Sequence, residues 1–344
     1  MKVTKIPGLG SFGIYIDDVD FNNITKEEWL EIGYLHIDNL VTIIRNSNLN
    51  YKNMLEWCEI LGPRRHTSLY TICKHYPGKT VSDVVQMVKE GSDEILDEHR
   101  ELIENVMLIR APGGVQRVSG KKNKQGKPLG MFQEGELLWH SNESGNIAFT
   151  PGVALLGAEN MVGSSTGFLQ TADYYQSVTE SFRSELDDMI LIHKFMPGKI
   201  NPGLNHGQDN LMKINMCPED NELPMVIQSP GGIRGLHYSV NTVWGIKGMS
   251  KTDADQVFKE INKTLVTDKY IYDHWYETNN DLLLFDNSIT VHRRLGDVKD
   301  RLAYRVAHTY DNIAGPYQPY LNEEYKTQYN LYTNELNNYL QGVA

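Results

Sequence analysis

The sequence predicts a mixed, β-rich fold, a jelly-roll (double-stranded β-helix) core with inserted and flanking helices. Two observations carry this expectation. Short apolar runs of strand length recur along the chain, at 40–45, 154–160, 236–243, 281–285 and 302–310. Helical stretches interrupt them irregularly, without the strict strand–helix alternation of a doubly wound parallel sheet. No linker, internal repeat or low-complexity segment divides the 344 residues, so 1–344 reads as one domain with a tyrosine-rich extension from about residue 313.

Taken in order, Gly13 to Ile16 forms a short strand, and Thr25 caps a helix over 26–34, with Glu28 completing a capping box. The β-branched run LVTIIR at 40–45 is a strand, and 51–61 has helical spacing that stops at Gly62-Pro63. A helix is expected over 92–104, then a Gly-, Lys- and Gln-rich loop or hairpin over 111–135. Strand 154–160 and a helix over 173–192 follow, then an Asn- and Gly-rich loop over 197–224. A strand at 236–243, an amphipathic helix at 251–267, strands at 281–285 and 302–310, and a helix at 333–340 complete the chain.

A formal net charge of -11 argues against a general binder of nucleic acid or anionic membrane, because counterion release needs clustered cations. The short basic run Lys121-Lys122-Asn123-Lys124 reads as a solvated loop. Cys58, Cys73 and Cys217 form neither a disulfide framework nor a zinc knuckle, which fits a reducing cytoplasm. The first residues lack the apolar stretch of a secretory signal, and no run approaches the ~18 apolar residues of a membrane span. The expectation is a cytoplasmic protein with a small-molecule substrate and no nucleic-acid or membrane partner.

Two segments hold the chemistry. Residues 136–143 read ELLWHSNE, placing His140 at the end of an apolar run with Asn142 two residues on. Side chains at i and i+2 of a strand point the same way, so both can reach one ion. Residues 282–310 read LLLFDNSITVHRRLGDVKDRLAYRVAHTY, with His292 near the end of a strand. A lone histidine is ordinarily a hydrogen-bonded core residue, but two near strand ends, one beside an oxygen donor, match an open non-haem iron site. Arg301 and Arg305, four residues apart on a strand, share a face amid apolar neighbours. A buried guanidinium needs an anion, and it binds carboxylates bidentately.

With these residues in view, the chain resembles the taurine dioxygenase / clavaminate synthase-like family of Fe(II)- and 2-oxoglutarate-dependent oxygenases. The resemblance runs over roughly residues 5–312. It rests on WHS with Thr150-Pro151, on FDNSITVHRR followed by DRLAYR, and on the opening glycines, helix, strand and helix that end at Gly62. It implies Fe(II) as metal, with His140 and His292 as imidazole ligands, and 2-oxoglutarate and dioxygen as cosubstrates. Arg301 would take the distal carboxylate of 2-oxoglutarate and Arg305 would lie near the substrate. A family threonine that also touches 2-oxoglutarate aligns without gaps to Leu169, with Thr166 and Ser165 as nearby hydroxyls.

One departure stands out. The family pattern has Asp or Glu where this chain has Asn142. The third metal position then falls to Asn142 through its carbonyl oxygen, to Glu143, or to a non-protein ligand. Arg234, His237 and Tyr238, in the segment SPGGIRGLHYSVNTV, are expected on the substrate side, where Arg234 with Arg305 would suit an acidic or amino-acid-like substrate. The implied reaction is hydroxylation of such a substrate with release of succinate and CO2. The alternative is a catalytically silent homologue that binds a ligand or partner through the same pocket. The tyrosines of the tail (Tyr317, Tyr320, Tyr325, Tyr329, Tyr332, Tyr339) pack either on the core or on a second subunit, so a homo-oligomer stays open.

Overall fold

A computed structural model describes residues 1–65, 75–108, 110–111, 115–127, 129–130, 135–147, 149–194, 221–296 and 299–341. The strands, in chain order, are β1 (Lys2–Lys5), β2 (Ile14–Asp17), β3 (Val41–Ile44), β4 (Gln116–Ser119), β5 (Leu137–His140), β6 (Gly152–Glu159), β7 (Ser164–Gln170) and β8 (Ile190–His193). They continue as β9 (Asn221–Pro224), β10 (Val226–Gln228), β11 (Arg234–Leu236), β12 (Val243–Ile246), β13 (Ile271–Trp275), β14 (Leu282–Asp286), β15 (Thr290–Gly296) and β16 (Leu302–His308). The helices are α1 (Lys26–Asn39), α2 (Tyr51–Leu61), α3 (Val81–Glu90), α4 (Asp97–Leu108), α5 (Thr171–Ser177), α6 (Glu180–Asp188), α7 (Lys251–Leu265), α8 (Asp311–Ala314) and α9 (Glu323–Gln341).

Two sheets dominate. One has the order β1-β2-β3-β14-β6-β16-β4, the other β13-β7-β15-β5. Alternation along each strand sorts side chains between the faces. In the larger sheet Val41, Ile43, Val153, Leu155, Leu283, Phe285 and Ala303 face Phe168 of the smaller sheet. Their one-residue neighbours Ile44, Ala154, Leu156, Leu282, Leu284 and Val306 face Trp29 and Ile32 of α1 and Met54, Cys58 and Leu61 of α2. The far face of the smaller sheet, with Leu169 and Val291, packs on Ala254, Phe258, Ile261 and Leu265 of α7. The expected β-rich core with helical layers is what forms, as two facing sheets between helices.

Local chemistry accounts for the element ends. The Thr25 hydroxyl accepts from Glu28 N while the Glu28 carboxylate accepts from Thr25 N, the predicted capping box. Helix α2 spans the predicted residues and stops at Gly62, where a Cβ would sit 2.4 Å from Thr309 O. Among the described residues no helix is long and apolar enough to cross a membrane.

The structure departs from the local reading at several points. The helix expected over 173–192 divides into α5 and α6, and residues 190–193 become β8, held between β9 and β12. The strand expected at 236–243 is instead β11 and β12 with a turn between them. The charged stretch near 92 is the gap between α3 and α4, because Gly91 adopts φ +71° and closes the first helix. Strands β7, β13 and β15 went unread, since Ser-, Thr-, Gly- and Arg-rich strands show little hydrophobic periodicity and form by pairing with one another. The loop expected over 197–224 lies mostly outside the described residues; its last four form β9.

Burial of histidines sets the acid response. His36 and His308 are held neutral by burial, which pushes them down to about 3 and about 4, and His193 and His237 behave alike. Each would protonate near 6.5 if exposed, so the unfolded chain binds more protons below that pH and stability falls as pH drops toward 4. Buried Asp286, raised to about 7, and Asp311, also raised, act in the opposite sense but are outnumbered. The metal-free protein is therefore expected to show a lower urea midpoint at pH 5 than at pH 7. An equal or higher midpoint at pH 5 contradicts the assignment of neutral core imidazoles.

Candidate active site

Strand pairing brings the two predicted imidazoles together. His140 ends β5 and lies directly across from His292 of β15, with ring centroids 4.2 Å apart. Both are buried, at 5% and 9% exposure. The His140 Nδ1–H donates to Leu138 O at 2.7 Å, which leaves the lone pair on Nε2. Burial pushes His140 down to about 4 and His292 well below its ordinary value, and the Arg305 charge adds to both shifts. Neutral imidazole is the form that binds a metal.

Asn142 stands on the turn that follows β5. Its backbone is held from both sides by one residue: Asn142 N donates to Asn287 Oδ1 at 2.8 Å, and Asn287 Nδ2 donates to Asn142 O at 2.8 Å and to Thr150 O at 2.9 Å. The turn is tight, with Glu143 at φ 59° and Gly145 at φ 86°, and a Cβ at Gly145 would meet His193 Cβ at 2.6 Å. The Asn142 side chain lines the same cavity as the two histidines, and its Nδ2 is buried without a hydrogen-bond partner among the described residues. Glu143 does not line it. Its Oε2 accepts from Thr150 N and Thr150 Oγ1, each at 3.1 Å.

The cavity, about 60 Å³, opens between the two sheets. Val153, Leu155 and Phe285 wall one side, and His140, His292 and Thr166 the other. Arg293, Arg294, Arg301 and Arg305 line it, and among the described residues no Asp or Glu does. Arg293 is neutralised by Asp273 through bonds of 2.9 and 2.5 Å and stacks 4.4 Å over the Trp139 ring. Arg301 is 2% exposed and lies over the Tyr276 ring, with Nε and Nη1 unpartnered among the described residues. Arg305 donates from Nη1 to Gln116 Oε1 at 2.8 Å, while its Nε and Nη2 are unpartnered among the described residues. Burial disfavours the charge on both, partly offset for Arg305 by the nearby Glu143. Buried guanidinium N–H groups aimed into a cavity mark a place for an anion.

Two lining residues come from facing strands. Arg294 is two residues beyond His292 and so shares its face, a period-two signal that was legible but unused. It donates from Nη2 to Gly135 O at 2.8 Å. Thr166, directly across from Arg294, is the cavity-lining hydroxyl, bonded to the Tyr276 hydroxyl at 2.9 Å. Leu169, placed at that position by gap-free matching, lies in the core on the opposite face of β7.

The other expected substrate residues are not among those that line the cavity. Arg234 pairs with Asp187 at 2.7 Å and lies over the Tyr175 ring. The Tyr238 hydroxyl donates to Asn262 Oδ1 of α7 at 2.9 Å. His237 stacks on Phe149 and donates from Nδ1 to Ser288 O at 2.7 Å. An anion, a helix and a backbone carbonyl of this chain already engage them.

Two neutral imidazoles and a side-chain amide lining one cavity are donor types that fit a small divalent metal of the iron type. Among the described residues no three His, Cys, Asp or Glu gather at one point, because an amide stands where a carboxylate would complete the set. The model of the taurine catabolism dioxygenase TauD, TfdA family matches residues 5–307. This chain therefore belongs to that family of non-haem iron, 2-oxoglutarate-dependent dioxygenases, which use the metal and the 2-oxo acid together. Among solved structures, AAD-2 in complex with Mn(II) and N-oxalylglycine is similar at 17% identity and TM-score 0.62, covering 89% of this chain and 97% of that one. A taurine dioxygenase from Burkholderia xenovorans is similar at 16% identity and TM-score 0.58, covering 89% and 88%. No curated protein sequence matches.

Asn287→Ala would strand both backbone groups of Asn142. We expect a loss on the order of 1–3 kcal/mol in urea-unfolding stability of the metal-free protein. A loss below a few tenths of a kcal/mol would mean that the clamp contributes nothing.

Proposed function

We propose that the protein hydroxylates a small acidic or amino-acid-like substrate, consuming 2-oxoglutarate and dioxygen and releasing succinate and CO2. The observation that carries this reading is the pair of buried guanidinium groups of Arg301 and Arg305, each with N–H groups unpartnered among the described residues, set in one cavity with the neutral His140 and His292. On this reading His140, His292 and the Asn142 side-chain oxygen hold the metal. Bound iron would supply dioxygen activation coupled to decarboxylation of the 2-oxo acid.

The protein's own share is orientation and exclusion of water. Arg301, fixed over Tyr276 and beside Thr166, holds the distal carboxylate of 2-oxoglutarate. Val153, Leu155 and Phe285 keep that end dry, which strengthens a charge-assisted bond there. Arg305, on the same face, and Arg294 supply positive charge for an anionic group of the substrate. Glu143 is tied to Thr150, which supports Asn142 as the residue that meets the metal.

Arg301→Met is expected to raise the KM for 2-oxoglutarate in a succinate-release assay by roughly 30- to 1,000-fold, the 2–4 kcal/mol range of a broken buried charge pair. An unchanged KM would remove Arg301 from this role. Asn142 also supports a second reading, a silent homologue that binds a ligand through the same cavity, since an amide gives less charge to a metal than a carboxylate. Asn142→Asp separates the two. An oxygenase releases succinate with Asn142 in place; a silent homologue releases none until Asp is installed.

A further inference from the structure

The family match ends at residue 307, and the chain continues for another 37 residues. That extension does not hang free. Tyr317, Tyr320 and Tyr329 are buried in one cluster with Ile227, Ile289 and Phe149. The Tyr317 hydroxyl lies 2.7 Å from Gln228 O and 2.7 Å from Ser288 Oγ, and Pro319 O accepts from Gln228 N at 2.9 Å. Its ring meets Phe149 edge-on, and Phe149 stacks on His237, which donates to Ser288 O.

Ser288 sits in the turn between β14 and β15. Asp286 Oδ1 accepts from Ser288 N and Ile289 N, each at 2.9 Å, and Asn287 N donates to Pro151 O at 2.7 Å. The first residue of this turn is Asn287, whose side chain holds the backbone of Asn142. The extension thus grips Ser288, one peptide from the residue that places Asn142.

We propose that the C-terminal extension is a buttress of the active-site turn, with Tyr317 a positioning residue that acts through Ser288 and Asn287 on Asn142. A phenolic hydroxyl is needed for this, not merely a ring, because the ring's packing would survive without the two polar contacts. The metal arm of the test rests on the proposed site; the exchange arm does not.

The experiment compares wild type, Tyr317→Phe, Ser288→Ala, Asn287→Ala and Tyr317→Phe/Asn287→Ala by amide hydrogen exchange without metal and by Mn(II) titration with 2-oxoglutarate present. Tyr317→Phe should speed exchange in 141–150 by roughly tenfold and leave α7 unchanged, and should weaken Mn(II) binding by roughly tenfold, the usual scale for a residue supporting a ligand. Ser288→Ala should reproduce the local change, and the double variant should be no worse than Asn287→Ala alone. Unchanged exchange in 141–150, or equal acceleration everywhere, overturns the buttress. Local acceleration in a protein whose wild type binds no Mn(II) upholds the buttress and removes the metal reading of the site.

Discussion

The two-sided grip of Asn287 on Asn142 is the interaction on which the rest of the site depends. His140 ends one strand and His292 belongs to the next strand of the same sheet, so pairing alone aligns them. Asn142 has no such help. It lies past the end of β5, on a turn with a positive-φ residue at Glu143, and only long-range bonds fix it. The three contacts of the Asn287 side chain, 137 to 145 residues away in sequence, do this. Ser288 and Asp286 hold Asn287 in turn, so the turn from β14 to β15 is a knot joining the His140 segment, the His292 strand and the tail.

Electrostatics explains the cavity's character. Arg301 and Arg305 belong to β16 and its approach, Arg294 to β15, and the sandwich points all three inward among apolar walls. Desolvation disfavours these charges, and the unpartnered N–H groups of Arg301 and Arg305 mean that part of the cost stays uncompensated within the described protein. An anion entering the cavity recovers that cost, so affinity for an anion is stored in the fold before any ligand arrives. Arg234, by contrast, has its anion already in Asp187, and Arg293 has Asp273.

Much of the fold was legible wherever a segment announced itself locally. The capping box at Thr25, the helix from Tyr51 to Leu61, the apolar run before Asp286 and the amphipathic α7 all follow from spacing and propensity. What failed to announce itself were β7, β13 and β15. Ser164–Gln170 carries hydroxyls on its inner face because that face lines a cavity, and Thr290–Gly296 carries a histidine and arginines for the same reason. Function had overwritten the apolar pattern that marks a strand.

The sequence by itself determined which residues to bring together: His140, His292, Arg301 and Arg305, which line one cavity, were identifiable because residue type and a period of two are local properties. The family followed from the order of those motifs. Tertiary structure alone decided which hydroxyl and which additional arginine line the cavity, Thr166 over Ser165 and Arg294 over Arg234. It also decided that Glu143 turns to Thr150 while Asn142 faces the histidines, and that the tyrosine tail packs against Ser288. Each of these depends on which face a strand presents and on partners more than a hundred residues away or across the sheet. Neither is encoded in the neighbourhood of the residue concerned.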